Sequence, residues 1–237
     1  FIFNNLFDDS RRLLRRWRDG EARFPAYLCD HAQLTVACLD LYETTYDPAW
    51  FIKATELSKE TNCLFRNAEG PYYDTGNDGE VLLTRNAEGY DGVEPSGNSS
   101  LAHAFLRLHA YGLAPQYYDD AQRIFQSFAP HLEQAGVSFS AMLSGLHFSL
   151  SAVKEVVISG RRGEAETELL LSELRCEYHP NIVVSFLENG KNPETENVIP
   201  LASGREMVND SATAYVCQNQ TCQIPVHSVE ELRKLIT

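Results

Sequence analysis

The chain has 237 residues, with 20 lysine and arginine side chains against 33 aspartate and glutamate side chains, so its formal net charge is −13. Proteins bind nucleic acids chiefly by neutralising phosphates with Lys and Arg, so this charge argues against a nucleic-acid partner. Hydrophobic residues make up 43% and charged residues 22% of the chain, which excludes a disordered protein. No apolar run reaches the roughly 18 residues of a transmembrane helix, so we expect no membrane partner.

Helical periodicity dominates the first 150 residues. Apolar residues recur three and four positions apart from Ala32 onwards, the pattern of an amphipathic helix. Asp47 and Pro48 supply an N-cap and a proline at the first helical position, which predicts that a second helix follows at once. The helices predicted in this way span residues 32–46, 48–63, 98–111, 115–132 and 138–151.

These helices form pairs with short turns inside each pair and a long polar loop between the pairs. The pairs recur at a spacing of about 65 residues, which predicts αα-hairpins of the kind that build helical toroids and solenoids. Between the pairs, Tyr72–Thr75 and Val81–Thr84 flank a Gly/Asn/Asp turn and predict a β-hairpin. Loops of this length are commonly functional.

The pattern changes after about residue 151. A strand at 155–159, a helix at 164–178 and a strand at 181–187 predict a small strand–helix–strand unit. Polar residues with Gly, Asn and Pro predict a loop over 188–200, followed by a strand at 213–217 and a helix at 228–235 that opens with a Ser-x-x-Glu capping box. The fold class is therefore mainly α, with helical hairpins over residues 1–151 and a small α/β extension over residues 152–237.

The six cysteines are too sparse for a disulfide scaffold, which favours a cytoplasmic protein. Cys38 lies among apolar residues at helical spacing and is expected to be buried. Cys217 and Cys222 are separated by four residues, whereas zinc knuckles and redox motifs use shorter spacings. The pair therefore predicts a structural thiol pair or a strained disulfide in preference to a metal site, and we expect neither a metal nor another cofactor.

Two polar clusters stand at predicted helix entrances and contain the candidate catalytic residues. Asp30 comes four residues before Leu34, so it belongs at the N-terminal end of the inward stripe, and the adjacent His31 is a candidate proton carrier. Asp91 and Glu94 stand just before the next entrance. Such acids can act as a general acid and base on a sugar. Capping of helices and organisation of loops is the alternative role for each of them.

Further polar and aromatic residues in the same loops are candidate contacts for a sugar. Aromatic faces beside carboxylates suit the apolar and hydroxyl faces of a sugar ring, although loop packing is the alternative. These candidate substrate-binding residues are Glu21, Arg23, Tyr27, Tyr73, Asp74, Tyr90 and Asn98.

Several stretches resemble one family in the same order along the chain. They are residues 19–32, 39–43, 73–75, 90–92, 95–98 and 214–222 with Pro225. The Ala214-Tyr-Val-Cys217 block is specific to this family. The family comprises the thioredoxin-domain-containing proteins that include spermatogenesis-associated protein 20 and the bacterial YyaL-like proteins.

The resemblance implies a three-part plan. Its parts are an N-terminal thioredoxin-like domain, an (α/α)6 toroid akin to six-hairpin glycosidases and N-acylglucosamine epimerases, and a C-terminal α/β extension. The sequence, which starts at Phe1, is then expected to be a C-terminal portion that includes half of the toroid. The expected partners are a sugar or small polar ligand, and either the N-terminal half with its thioredoxin-like domain or a second copy.

The implied function is carbohydrate-directed. A hydrolase or epimerase-like enzyme is one possibility that the resemblance leaves open. The others are a non-catalytic binding module that partners a thioredoxin-like domain, and a structural scaffold, because toroids host all of these functions.

Overall fold

A computed structural model describes residues 1–218 and 221–236. The chain divides into two compact units, each built from several segments. The first unit contains Phe1–Leu39, Lys53–Phe105 and Tyr118–Leu146. The second contains Asp40–Ile52, Leu106–Tyr117 and the C-terminal segment from His147.

Helices dominate the first 150 residues, as the periodicity predicts. In chain order the elements are α1 (Ile2–Asn5), β1 (Leu14–Arg18), β2 (Glu21–Pro25), α2 (Leu28–Thr45), α3 (Pro48–Phe65), α4 (Gly97–Ala110), α5 (Gln116–Ala135) and α6 (Ser140–Leu150). A 3₁₀ turn, Gly136–Phe139, leads into α6. The five predicted helices of this region are confirmed, with boundaries that differ by a few residues.

Local capping explains where these helices start. The Asp47 carboxylate accepts a hydrogen bond from Ala49 N at 3.0 Å, immediately before α3, as the Asp-Pro pair predicts. The Ser96 hydroxyl accepts a hydrogen bond from Ser99 N at 3.1 Å and caps α4 in the same way. Each cap lies within three residues of its partner, so the sequence alone contains the signal.

The structure contains an antiparallel hairpin near the N-terminus that the sequence pattern does not predict. Strands β1 and β2 pair with Arg18 opposite Glu21, which leaves Asp19 and Gly20 as a two-residue turn. Both turn residues have positive φ, at 53° and 81°. Asp-Gly is a strong signal for this type of turn, but the flanking strands are mostly exposed and do not alternate apolar and polar residues.

The β-hairpin predicted over Tyr72–Thr75 and Val81–Thr84 is wrong, because no strand forms between residues 66 and 96. The backbone bonds to the end of α3 instead: Tyr73 N donates to Phe65 O at 2.9 Å and Asn77 N to Leu64 O at 2.9 Å. Val81 is fully exposed, so the second predicted strand has no buried face to support pairing.

The second unit contains a four-stranded sheet. Its elements are β3 (Lys154–Gly160), α7 (Ala165–Cys176), β4 (Ile182–Glu188), α8 (Pro193–Val198), β5 (Thr213–Gln218), β6 (Thr221–Cys222) and α9 (Val229–Ile236). The strand order is β4-β3-β5-β6, with β3 parallel to β4 and antiparallel to β5. The predicted strand–helix–strand unit is therefore confirmed as β3–α7–β4, in which the helix connects the two parallel strands.

Helix α8 lies inside the segment that we predicted to be a loop. The Asn192 side chain accepts hydrogen bonds from Glu194 N and Thr195 N, and Pro193 occupies the first helical position. These are the capping signals that identified α3, but here the helix is only six residues long. A helix of this length is too short to show an apolar periodicity, so the prediction of a loop over 188–200 was wrong here.

The core of the second unit lies between the sheet and its helices. Val156 and Ile158 of β3 pack with Phe186 of β4, Leu170 of α7 and Leu232 of α9. The capping box of α9 is present, with Ser228 Oγ accepting from Glu231 N and donating to the Glu231 carboxylate. Ala214 and Val216 of β5, the strand that carries Cys217, belong to the same core.

The structure shows the state of the cysteines that the sequence singled out. Cys217 and Cys222 form a disulfide between β5 and β6, so of the two alternatives for this pair the structure contains the disulfide. Cys38 is buried, as predicted. Among the described residues, no group of three or more His, Cys, Asp and Glu side chains is arranged to hold a metal ion.

Candidate functional site

The N-terminal ends of three alternate helices, α2, α4 and α6, lie together in the first unit. A Cβ atom on Gly97, the first residue of α4, would lie 2.9 Å from Cys29 N in α2, so only glycine permits this approach. Gln33 of α2 also donates to Pro95 O at 3.3 Å. We call the region formed by these three helix ends and the loop 86–97 the helix-entrance site.

Asp91 connects two of the three helices. Its Oδ1 accepts a hydrogen bond from Ser96 N at 2.9 Å, just before α4. Its Oδ2 accepts from Ala141 N at 2.8 Å and from Met142 N at 3.2 Å, in the first turn of α6. The amide groups and the positive end of the helix dipole stabilise negative charge at this position. Both oxygens of Asp91 therefore bind backbone amides.

Asn98 fixes the loop that surrounds this carboxylate. The side chain is fully buried, and its Oδ1 accepts from Tyr72 N at 2.8 Å. Its Nδ2 donates to Tyr72 O and to Glu88 O, both at 2.9 Å. Asn98 thus holds the two sides of the long loop between α3 and α4 in place by three hydrogen bonds.

Asp30 occupies the first turn of α2, as predicted. Its Oδ2 accepts a hydrogen bond from Tyr27 N at 2.8 Å, which is the reciprocal half of a capping box. Arg15 of β1 forms an ion pair with the same oxygen at 3.6 Å, and its guanidinium lies 4.6 Å from the centroid of the Tyr27 ring. Asp30 is only partly buried, so its carboxylate both caps the helix and faces solvent.

His31 lies beneath the helix-entrance site and is fully buried. Its Nε2 is 2.7 Å from Nη1 of Arg12, and its ring lies 5.1 Å from the ring of Phe65. Because a guanidinium only donates, Nε2 accepts this hydrogen bond. Burial first, and then the Arg12 charge, lower the pKa of His31 from 6.5 to about 3, although Asp78 opposes the shift. The imidazole is neutral in the folded protein.

The loop between α3 and α4 contains three more candidate residues: Tyr73, Asp74 and Tyr90. Burial raises the pKa of Asp74, while hydrogen bonds from Glu88 N at 3.0 Å and Asn86 Nδ2 at 2.9 Å oppose the shift. The Tyr73 ring carries the Arg85 guanidinium 4.1 Å above its centroid. Tyr90 is about half exposed and presents its ring to solvent beside Phe139.

Glu94 and Cys29 complete the site. Burial raises the pKa of the Cys29 thiol, and the charges of Asp30 and Glu94 raise it further, while the charge of Arg15 opposes the shift. Glu94 is exposed, and within the described residues it makes no hydrogen bond or ion pair.

Two predicted substrate-binding residues lie on the N-terminal hairpin. Glu21 and Arg23, on β2, form an exposed ion pair with each other at 2.6 Å. The structure therefore brings Asp30, Glu94 and Asp91 to the ends of neighbouring helices, while Glu21 and Arg23 occupy an exposed strand.

The arginines of the site were not predictable from the sequence. Arg12 donates to Ala26 O at 3.0 Å and pairs with Asp78 at 2.7 Å, in addition to its contact with His31. Arg15 approaches Asp30. The segment 11–18 is visibly rich in arginine, but no sequence motif relates these arginines to side chains that lie far away in sequence.

Curated proteins from several organisms are similar to this chain. Human spermatogenesis-associated protein 20 is 31% identical over 247 residues, an alignment that covers all of this chain and 31% of that protein. The mouse protein of the same name is 30% identical over 89% of this chain and 27% of its own length. An uncharacterized Caenorhabditis elegans protein is 26% identical over 91% of this chain. No family model matches the chain.

The fold and the site define an α-rich protein with a four-stranded mixed sheet and a cluster of helix N-termini. The relatives identify its family. The chain belongs to the family of spermatogenesis-associated protein 20, and it spans about a third of the length of the curated relatives it matches. Within the described part of the chain, no helix has the length and apolar character needed to cross a membrane.

Proposed function

We propose that this chain is a carbohydrate-directed protein of the six-hairpin glycosidase-like type, acting as a sugar hydrolase or an epimerase-like enzyme. In this proposal residues 1–151 are the C-terminal half of an (α/α)6 toroid, and residues 152–237 are an α/β extension. The observation that carries the proposal is the meeting of the N-terminal ends of the alternate helices α2, α4 and α6. An (α/α) toroid with its inner helices at one end has this arrangement.

The chemistry of the proposal rests on the two acids that are least committed to backbone contacts. Asp30 follows Cys29 directly in α2, Glu94 stands three residues before Gly97, whose backbone approaches Cys29, and each carboxylate is accessible to solvent. Glycoside chemistry uses two carboxyl groups on either side of the reacting carbon, one as acid and one as base or nucleophile. We assign these roles to Asp30 and Glu94. In this scheme Asp91 and His31 position the helix ends, because their polar atoms already bind Ser96, Ala141 and Arg12.

The exposed rings supply the binding surface. Tyr27 and Tyr90 are each about half exposed at the same site, and aromatic rings bind the apolar faces of sugars. In the proposal Tyr73, Asp74 and Asn98 shape the loop that carries Tyr90. The remainder of the toroid comes from an N-terminal half that also carries a thioredoxin-like domain, or from a second copy.

A sugar and sugar-nucleotide activity screen on the complete protein tests the proposal. We expect turnover of at least one substrate, and a loss of about 10²–10⁴-fold in kcat for Glu94→Gln and for Asp30→Asn, the usual range for removing a general acid or base. Glu69→Gln, an exposed change in the loop after α3, serves as the matched control and should leave kcat unchanged.

The remaining outcomes separate the alternatives. Turnover that both Asp30→Asn and Glu94→Gln retain would remove these residues from the catalytic list. Sugar binding without turnover, undiminished in both variants, contradicts the enzyme and supports the non-catalytic binding or scaffold module that partners a thioredoxin-like domain.

A further inference from the structure

The disulfide of the second unit has one buried and one accessible sulfur. Cys217 and Cys222 lie directly opposite each other in the β5–β6 pair. Cys217 is 1% exposed, whereas Cys222 is partly exposed on β6, the strand at the edge of the sheet. A reagent in solution therefore reaches the sulfur of Cys222 first.

Arg205 lies against both sulfur atoms. Its Nη2 is 2.8 Å from Cys222 Sγ and 3.7 Å from Cys217 Sγ. The guanidinium stacks 5.5 Å from the ring of Tyr215, whose hydroxyl donates to Glu206 O at 2.6 Å. Within residues 1–218 and 221–236 Arg205 forms no ion pair with a carboxylate. Its charge is directed at the sulfurs.

A positive charge beside sulfur interacts more strongly with a thiolate than with a neutral disulfide, because the thiolate carries a full negative charge. Thiolates, not thiols, are the nucleophiles in thiol chemistry, and adjacent Arg or Lys residues stabilise them. A guanidinium at 2.8 Å therefore stabilises the species that forms at Cys222 when the disulfide is reduced.

A purely structural role does not account well for this disulfide, because the bond adds little stability. A disulfide stabilises a fold mainly by closing a loop in the unfolded chain, and the effect increases with loop length. Here the two cysteines are only five positions apart, and their strands are already paired. The bond therefore restrains little that the hairpin does not restrain by itself.

We propose that Cys217 and Cys222 form a thiol–disulfide exchange site, in which Cys222 is the attacking thiolate, Cys217 is the resolving thiol and Arg205 stabilises the Cys222 thiolate. Its substrate class is an accessible organic disulfide, and a dithiol returns the site to its reduced form. This proposal is independent of the carbohydrate-directed function.

The exchange balances in two steps. The Cys222 thiolate attacks one sulfur of the substrate disulfide, forming a Cys222–substrate bond and releasing the other substrate sulfur as a thiolate, which takes up a proton. Cys217 then loses its proton and attacks Cys222, forming the intrachain disulfide and releasing the second substrate thiolate. One substrate disulfide is reduced to two thiols, and the two cysteines of the chain are oxidised. A dithiol reverses both steps and is itself oxidised to a disulfide.

The first test uses the unmodified full chain. The protein is reduced with dithiothreitol, desalted, and reacted with iodoacetamide at pH 7, and the modification of each cysteine is followed by mass spectrometry. We expect Cys222 to react about tenfold faster than Cys176, an exposed thiol of the same unit, because a larger fraction of Cys222 is thiolate. A rate at Cys222 equal to or below that at Cys176 would overturn the proposal without any variant.

Variants of Arg205 test the source of the effect. Arg205→Gln should reduce the rate at Cys222 to that of Cys176, whereas Arg205→Lys, which retains the charge, should keep most of the difference. Arg161→Gln is the matched control, because Arg161 pairs with Asp210 and Glu164 and should leave the rate unchanged. An unchanged rate in Arg205→Gln would contradict the role of Arg205.

The order of the two cysteines is tested with oxidised glutathione as the substrate. Cys217→Ser should retain glutathione on Cys222 as a stable mixed disulfide, because the resolving thiol is missing. Cys222→Ser should acquire none at the buried Cys217. The wild-type chain should return to its intrachain disulfide and release glutathione. Equal trapping by the two variants, or trapping by neither, would overturn the assignment.

Discussion

The imidazole of His31 shows how burial and a neighbouring charge together can decide the protonation of a residue. It lies fully buried against Phe65 and accepts a hydrogen bond from Arg12. Charging the ring would place two cations 2.7 Å apart in a region that excludes water, so the pKa falls to about 3. Asp78, which pairs with Arg12, opposes this effect only in part.

This lowered pKa predicts acid sensitivity. Between pH 6.5 and pH 3 the unfolded chain binds a proton at His31 that the folded protein does not bind, so the free energy of unfolding falls as the pH decreases through this window. Because one pKa unit corresponds to about 1.4 kcal/mol, His31 should contribute a loss of about 2 kcal/mol between pH 6.5 and pH 5. Urea unfolding at several pH values measures this loss.

His31→Gln keeps an oxygen acceptor for Arg12 but cannot take up the proton. We expect this variant to lose much less stability than the wild type between pH 6.5 and pH 5. His147→Gln, an exposed histidine of α6, is the control and should follow the wild-type curve. An identical pH dependence in His31→Gln and wild type would show that another group causes the loss.

Residue roles were predictable only where the partner is close in sequence. The cap of Asp47 on Ala49 follows from two neighbouring letters. For Asp91 the sequence indicated an acid before a helix, but its partners Ala141 and Met142 are about 50 residues further along. Whether Asp30 and Glu94 also act on a sugar stays a prediction.

At the scale of elements, the turn between β1 and β2 depends on its glycine. Gly20 has φ of 81°, a left-handed conformation that costs an L-residue with a side chain about 1 kcal/mol or more. A Cβ atom there meets nothing within 4 Å, so backbone conformation is the only effect of a substitution. The change in hairpin stability on substitution therefore measures the free energy of this left-handed conformation directly.

Gly20→Ala should loosen the β1–β2 hairpin. We expect amide hydrogen exchange in Arg16–Arg18 and Glu21–Arg23 to increase about fivefold, since 1 kcal/mol is a factor of about five in an opening equilibrium. Gly79→Ala is the control, because Gly79 does not have a left-handed φ and a Cβ there has ordinary contacts. Equal exchange in both variants would contradict the strain argument.

The contrast between helices and strands explains how much of the fold was predictable. Helices α2 to α5 have apolar stripes at helical spacing, and the caps of α3 and α4 lie immediately before their first residues, so the sequence locates these helices. The segment 72–84 has β-prone residues, but its fate is decided by backbone bonds to Phe65 and Leu64 at the end of α3. Such tertiary contacts override a local propensity that has no buried face behind it.

At the scale of the whole molecule, the first unit carries apolar side chains that are fully exposed in loops. Val81, Leu83 and Val93 have nearly their whole surface in water. Contiguous exposed apolar patches mark surfaces that other polypeptides cover, and we infer that these side chains contribute to such a patch. Their exposure predicts association.

We expect the isolated chain to self-associate in a concentration-dependent manner in sedimentation velocity. Leu83→Lys combined with Val93→Lys should raise the dissociation constant about tenfold, the effect of roughly 1.4 kcal/mol of lost apolar burial. Tyr178→Lys, an equally drastic change at an exposed position of the second unit, is the control. Unaltered association in the double variant, or a strictly monomeric chain, would contradict this prediction.

The two oxygens of Asp91 have a consequence for how the protein is made. Since they bind Ser96 on one side and Ala141 on the other, the loop before α4 cannot take its final shape until α6 has been synthesised. At the usual rate of translation the 50 residues between Asp91 and Ala141 take about 3–10 s to add. For that interval the nascent chain carries an acidic loop without its amide partners, and assembly of the three helix ends waits for the arrival of α6.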